Sequence, residues 1–344
     1  MQDLRPIVRL LQNQRWISGT EISKITGYFG EDLEKVIAVL KARGLPLECQ
    51  AEQGYRLTSS VMLIDESRLT RFLEEAGLVS ATRTSVVDVV DSTNKKLLDW
   101  ADSVTLHGRV CIAEYQSDGR GRQGRPWFAV GYQNLTLSLA WRIEQGTAEL
   151  SAVSLVAGLA VCDCLEDIGL GRVCLKWPND VMSPIGKLAG ILIETKSTGL
   201  GYLHVVIGIG INIHNASVVK VRVEQPVADL GTMMGSNVDR TLLSAKLLSR
   251  LSSALEKMNR SGFSADCVQE WNKRDAYMGR AVIGTIGDEK IQGQGLGVDD
   301  SGAYQVRDNH GRTHRLISGE VLLRPLVDGL KAGNHDAEIK QSCA

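Results

Sequence analysis

Residues 119–125 read Gly119-Arg120-Gly121-Arg122-Gln123-Gly124-Arg125, and the reading of this stretch decides between two fold classes. Its glycines fit the G-x-G-x-x-G template of dinucleotide-binding folds, and it comes after an apolar run at 110–115. Glu144 even stands about where such a fold places its ribose-binding acid. That template must open a helix, however, and Pro126, Gly131 and Asn134 interrupt the chain directly after the loop. Three arginines also depart from a motif that works through backbone N–H groups and a helix N-terminus. Two readings of the loop remain open. It is either a solvent-exposed basic turn or a mobile flap, in which glycines give freedom and arginines supply forked donors for phosphate or carboxylate.

Outward from the loop, alternating and apolar runs predict strands at 85–90, 110–115, 135–142, 173–177, 190–195 and 204–211. Helices are expected at 94–101, 151–168 and 239–259. The strands come in runs instead of alternating with helices, which favours an α+β fold over a doubly wound sheet. Upstream, Leu4, Ile7, Leu10 and Leu11 share one helical face, and Thr20 can cap a short helix that Gly27 ends. Leu33, Val36, Ile37 and Leu40 stripe a third helix, and 45–57 reads as a hairpin turning at Gln53-Gly54. Three helices and a small β wing outline a winged helix-turn-helix at 1–60. A mixed-sheet domain is expected at 65–275, and short strands with Gly-rich turns suggest an SH3-like β-barrel at 276–325. The polar end, 326–344, reads as a disordered tail.

The chain has 344 residues with 39 basic against 40 acidic, so no strongly basic coat marks it for nonspecific nucleic-acid or membrane binding. The apolar stretch 152–165 is broken by Ser154 and Asp163 and is too short for a membrane span, so it reads as a buried helix. The N-terminus, with Asp3, Arg5 and Arg9, is no signal peptide. Seven scattered cysteines without a Cys-x-x-Cys pair read as reduced core thiols, and the expected location is cytoplasmic.

Four further stretches carry chemistry. Lys176-Trp177-Pro178-Asn179-Asp180 sets a lysine at a strand end, where it can neutralise a phosphate or simply border a turn. After Lys187, small Ala189 and Gly190 open a buried strand that either meets a flat ligand or packs tightly. Gly208-Ile209-Gly210-Ile211-Asn212 ends another apolar strand with glycines that mark close backbone approach. Asp91-Ser92-Thr93-Asn94 precedes a helix, and these residue types serve equally as caps or as groups facing a small polar ligand. No Walker A loop or nucleophile elbow occurs, and His310 and His314 lack a third metal ligand and read as solvated hairpin histidines.

Taken together, Ser92-Thr93-Asn94, Glu114-Tyr115-Gln116, the Gly/Arg loop with Trp127, and the stretches 176–180, 187–192 and 208–212 closely resemble bacterial biotin protein ligases. The order and spacing match over nearly the whole chain, and Ser318-Gly319-Glu320-Val321 is similar to the family's small C-terminal β-domain. The N-terminal unit resembles that of bifunctional members, which also repress the biotin operon. The resemblance implies an ATP-dependent ligase that makes biotinyl-5′-AMP with Mg²⁺, then biotinylates a lysine of the biotin carboxyl carrier protein of acetyl-CoA carboxylase. It implies biotin-binding roles for Ser92, Thr93, Asn94, Gln116, Arg120, Gly121, Arg122 and Lys176. ATP and adenylate are implied at Arg122, Trp127, Lys176, Asn179, Lys187 and Asn212, with Lys176 and Arg122 as the catalytic pair. It further implies operator DNA as a partner, no membrane, and a monomer-to-homodimer switch on adenylate binding.

Two departures stand out. The recognition-helix position, about 32–43, opens with Glu31, Asp32 and Glu34, which suit the helix dipole and repel phosphates. Lys24, Lys35, Lys41, Arg43 and Arg56 are left as candidate DNA contacts. Region 215–235 also lacks a tryptophan where the family's repressor orders an aromatic residue over adenine. A lipoate-type ligase and a biotin-sensing regulator without ligase activity are the competing readings.

Overall fold

The computed structural model describes residues 3–78, 83–100, 106–144, 150–171, 173–197, 202–223, 225–286, 289–317 and 324–325. Three helices come first, α1 (Arg5–Leu11), α2 (Gly19–Thr26) and α3 (Gly30–Ala42), then the antiparallel hairpin β1 (Leu47–Gln50) and β2 (Gly54–Leu57). Ser18, not Thr20, caps α2: its hydroxyl accepts the Glu21 N–H from an extended backbone, while Thr20 already lies within the first turn. Gly27 closes that helix at φ 77°, as a left-handed cap requires. Leu33, Val36, Ile37 and Leu40 turn inward from α3 onto Ile7, Leu11 and Ile22, which gives the unit its own core.

The middle of the chain runs α4 (Glu66–Glu75), β3 (Thr84–Val90), α5 (Thr93–Asp99), β4 (Val110–Gln116), β5 (Leu135–Glu144), α6 (Leu150–Asp167), β6 (Cys174–Lys176), β7 (Asp180–Ser183), β8 (Gly186–Ser197) and β9 (Tyr202–Ile211). Helices α7 (Ala216–Lys220), α8 (Leu230–Met234), α9 (Arg240–Ser261) and α10 (Ala265–Lys273) come next. The strands form one sheet in the order β3-β4-β5-β9-β8-β7-β6. Only β3 and β4 pair in parallel among these described strands, so the sheet is mixed and the fold α+β.

Alternation along the strands divides the two faces. Ile112, Leu137, Leu139, Val205 and Ile207 join the main core, while Cys111, Ala140 and Val206 pack beneath Leu97 of α5. Helix α6 is apolar on nearly every side because it lies between the sheet and α9. No described helix is long and apolar enough to cross a membrane.

The last described segments, β10 (Ala281–Ile286), β11 (Glu289–Val298), β12 (Tyr304–Asp308), β13 (Thr313–Leu316) and β14 (Arg324–Pro325), form an antiparallel sheet in the order β13-β12-β11-β10-β14. Its outer strands β13 and β14 do not pair with each other among the described residues, so an open sheet stands where a closed barrel was expected. Trp177 Nε1 donates to Gly302 O at 3.1 Å and fastens this sheet to the turn after β6. The expected tail, 326–344, and the motif 318–321 lie outside the described residues.

Cysteine chemistry also differs from expectation. Cys111, Cys162 and Cys164 are buried free thiols, and burial lifts the Cys111 thiol to about 11. Cys49 is exposed on the hairpin and Cys267 is half-buried. Cys174 at the start of β6 is disulfide-bonded, which neither the odd count nor the scattered spacing signals.

Candidate functional site

One cavity of about 980 Å³ opens over the sheet, and all twelve ligand-site residues expected from the sequence line it. Its polar end is built by the start of α5. Ser92 caps that helix, and the next turn aims Thr93 and Asn94 at the sheet, both buried. Gln116, the last residue of β4, receives the Thr93 backbone N–H at 2.8 Å, and its Oε1 lies 2.9 Å from Thr93 Oγ1. Asn94 lies against Gly208 of β9, where an added Cβ would come within 2.4 Å of the amide oxygen. The bare strand is therefore required for Asn94 to sit flat on the sheet.

A second pair of bare positions seats an indole. Gly190 and Gly210 face each other across β8 and β9, and a Cβ at either would lie 2.9 or 2.4 Å from the Trp127 ring. The Lys187 Nζ stands 5.5 Å from that ring's centroid and 2.6 Å from the Asp180 carboxylate. Trp127 Nε1 and Asn212 Oδ1 are buried without a hydrogen-bond partner, and both residues line the cavity. Unpaired buried polar atoms in a ligand-sized cleft are costly unless something fills it.

The Gly/Arg loop is a small hairpin, with Gly121 N donating to Arg125 O at 2.7 Å and Trp127 N to Gly119 O at 2.8 Å. Its arginines diverge. Arg120 is paired outside with Asp118 at 2.8 Å, whereas Arg122 turns inward, reaching Asn179 Oδ1 at 3.5 Å. Burial lowers the Arg122 pKa, partly offset by Asp180, so the guanidinium is a desolvated cation without a full anionic partner. Lys176 ends β6 with its Nζ 6.0 Å from the Tyr277 ring centroid, and Asn179 is held by its Nδ2 donating to Ile191 O at 2.8 Å. Neutral donors thus occupy one end of the cavity and cations its flank, an arrangement suited to a polar uncharged head group joined to anionic groups.

Sequence reasoning passed over several lining residues. Thr136, Val219, Arg222 and Gln225 also face the cavity, and Arg222 stacks on Phe128 at 5.6 Å. Only Thr136, as the outward partner of apolar neighbours in an alternating strand, carried a readable signal.

The candidate DNA contacts separate from one another. Lys24 and Lys41 are exposed. Lys35 pairs with Asp32 at 3.4 Å, and Arg56 pairs with Glu48 at 2.8 Å while lying over the Trp16 ring. Arg43 does not face outward as expected. It stands just past α3, where Gly131 N donates to its carbonyl, and its guanidinium reaches Asp88 at 3.2 Å and Tyr132 Oη at 2.7 Å. His310 is exposed and His314 pairs with Asp308 at 2.7 Å, and no metal-binding cluster occurs among the described residues.

Comparison with known proteins fits this geometry. The Biotin/lipoate A/B protein ligase family model matches residues 86–212, and the Biotin protein ligase C terminal domain model matches residues 277–324. The bifunctional ligase/repressor BirA of Escherichia coli (strain K12) is 34% identical over 322 residues, 92% of this chain and 96% of the relative. The biotin--[acetyl-CoA-carboxylase] ligase of Paracoccus denitrificans is 34% identical over 228 residues, 64% of this chain and 93% of that one. Among solved structures, the biotin protein ligase from Aquifex aeolicus in complex with biotin and ATP aligns with a TM-score of 0.62 at 30% identity, covering 71% of this chain and 99% of that chain. Fold and site together define a protein of the biotin/lipoate ligase class. Within that class the chain belongs to the biotin protein ligase family.

Proposed function

We propose that this chain is an ATP-dependent biotin protein ligase that forms biotinyl-5′-AMP and passes biotin to a lysine of the biotin carboxyl carrier protein of acetyl-CoA carboxylase. One observation carries the reading: the residues that the family resemblance singles out line a single cavity with a neutral polar end and a cationic flank. In the first half-reaction a carboxylate oxygen of biotin attacks the α-phosphorus of ATP, and the bond to the departing pyrophosphate breaks. Arg122 and Lys176 offset the charge that builds at phosphorus, and the cavity aligns the two anions, so no enzyme nucleophile is required. In the second, the acceptor lysine attacks the mixed anhydride, loses a proton, and AMP leaves. The 119–125 loop, covering the anhydride, keeps water from competing with the lysine.

Mg²⁺ is part of this proposal. Asp180 is a carboxylate in the cavity lining, which fits an ion held mainly by phosphates, waters and one or two carboxylates. Bound there, it supplies charge neutralisation on phosphate oxygens. Biotin-dependent ATP–pyrophosphate exchange, run beside lipoate, tests the ligase reading. Exchange with biotin is expected, and exchange with lipoate alone overturns it.

The proposal extends to the flanking units. The three helices and hairpin are read as a winged helix-turn-helix with α3 toward DNA, the last sheet as an SH3-like domain, and the protein as cytoplasmic. Exposed Lys24 and Lys41 support backbone contacts to biotin-operon DNA. A monomer-to-homodimer switch on adenylate binding is proposed as part of the same reading. An electrophoretic shift of operator DNA that requires biotin and ATP is expected, and no shift with adenylate formed overturns the repressor role.

A further inference from the structure

The polar end of the cavity is held by two side chains beyond those that the family resemblance singles out. Asn94 Nδ2 donates to Glu194 Oε2 at 2.7 Å and to Leu192 O at 3.3 Å, while its Oδ1 lies 2.6 Å from Ser138 Oγ. Ser138 is fully buried in β5, and its Oγ also lies 2.7 Å from Thr93 Oγ1. Glu194 stands on the face of β8 that carries Gly190 and Leu192, both in the cavity lining. An ionised carboxylate only accepts, so it compels the Asn94 amide nitrogen to point toward β8 and the oxygen toward Ser138. The Asn94 oxygen only accepts in turn, so Ser138 must give it its single proton. Ser138 then meets Thr93 as an acceptor, and the one hydroxyl proton of Thr93 is shared between Ser138 and Gln116. The bonds from Glu194 through Asn94 to Ser138 therefore run in one direction, with Leu192 O as a second acceptor for the same amide nitrogen. Gly208 completes the device, since a Cβ there would displace the Asn94 amide.

We propose that Glu194 is a positioning residue that, through Asn94 and Ser138, fixes which atoms of the α5 turn donate and which accept toward the biotin head group. The inference rests on the biotin-ligase reading of the cavity. A wrongly turned amide would set an acceptor against an acceptor and weaken recognition of a neutral, hydrogen-bonding head without touching the cationic flank. Glu194 therefore acts on biotin affinity and not on the nucleotide or the rate of adenylation.

Isothermal titration of the whole protein with biotin, beside exchange kinetics, tests this. Glu194→Leu is expected to raise the biotin Kd about tenfold. The same variant keeps kcat at saturating biotin and the KM for ATP near wild type. Glu194→Gln keeps an acceptor for Asn94 and is expected to stay within about threefold of wild type. In an Asn94→Ala background, Glu194→Leu should add nothing, because the residue acts through that amide. If the leucine variant is unfolded by circular dichroism, Glu194→Ser, too short to reach Asn94, takes its place with the same expectation. Unchanged biotin affinity in the leucine or serine variant, an equal loss for ATP, or an additive loss in the Asn94→Ala background overturns the proposal. Wild-type protein that binds no biotin in the same titration overturns the underlying reading of the cavity instead.

Discussion

Arg122 and Gly210 show how single positions set the chemistry of the cavity. Arg122 has been drawn out of water toward Asn179, and burial lowers its pKa, so it gains most when an anion arrives beside it. Arg122→Gly removes the charge and loosens the loop together. The expected outcome is free biotinyl-AMP in the medium at about ten times the wild-type level, read by thin-layer chromatography of labelled ATP products. Equal release from both proteins refutes the role. Gly210→Ala tests the opposite wall, where the new Cβ would lie 2.4 Å from the Trp127 ring and the rigid indole would have to shift. Overpacking of this kind costs roughly 1–3 kcal/mol, which predicts a KM for ATP about tenfold higher with biotin binding little changed. An unchanged KM would mean that the indole is not part of the nucleotide wall.

At the level of elements, the long apolar helix and the paired strands were readable because each repeats its period for long enough. The 151–168 expectation became Leu150–Asp167, and 204–211 became Tyr202–Ile211. Helix α4 was missed because only Leu69 and Leu73 mark its buried face among charged residues, although Asp65 caps it as the rules require. The β7 strand was hidden because Asp180 comes straight after a Pro-Asn turn signal. Ser138 shares the alternation that marks Thr136, but its contact with Asn94, like that of Glu194, depends on a register that no local pattern encodes. The same holds for Arg43, whose place after α3 is decided by contact with Asp88 and Tyr132, far along the chain. Asp88 also accepts the Leu4 N–H at 2.9 Å, so three groups from two units converge on one carboxylate. Asp88→Ala leaves a buried guanidinium unpaired at a cost of about 3 kcal/mol. Chemical denaturation should report that loss, with the N-terminal unit released first to limited proteolysis. By contrast, Lys41→Ala should weaken DNA binding alone, and a matching loss from Arg43→Ala without loss of stability would contradict the buried pairing.

Across the whole molecule, the three units are joined by buried polar groups that also border the site. Arg240 and Glu114 form an ion pair at 2.7 Å with both side chains almost wholly buried, and Arg240 also donates to the carbonyls of Met62, Tyr132 and Asn134. Asn134 Oδ1 in turn accepts the N–H groups of Ile213 and His214, just past Asn212 in the cavity wall. On the other side, Asp275 accepts from Tyr304 Oη at 2.7 Å and from Tyr277 N at 3.0 Å, and its neighbours Arg274 and Ala276 bond the backbone of Leu175, one residue before Lys176. Burial lifts the Asp275 carboxyl from its ordinary 3.8 to about 7, against the smaller opposing pull of those hydrogen bonds. The unfolded chain releases this proton near pH 4 and the folded chain near pH 7, so stability falls as pH rises across that window and stays lower above it. Asp275→Asn keeps an acceptor for Tyr304 or Tyr277 and has no proton to lose. Relative to wild type, its Tm should therefore gain a few degrees between pH 5 and pH 8. A Tm difference that does not change with pH would show that Asp275 does not titrate in this window, and that the seam beneath Lys176 is held by hydrogen bonds of fixed protonation.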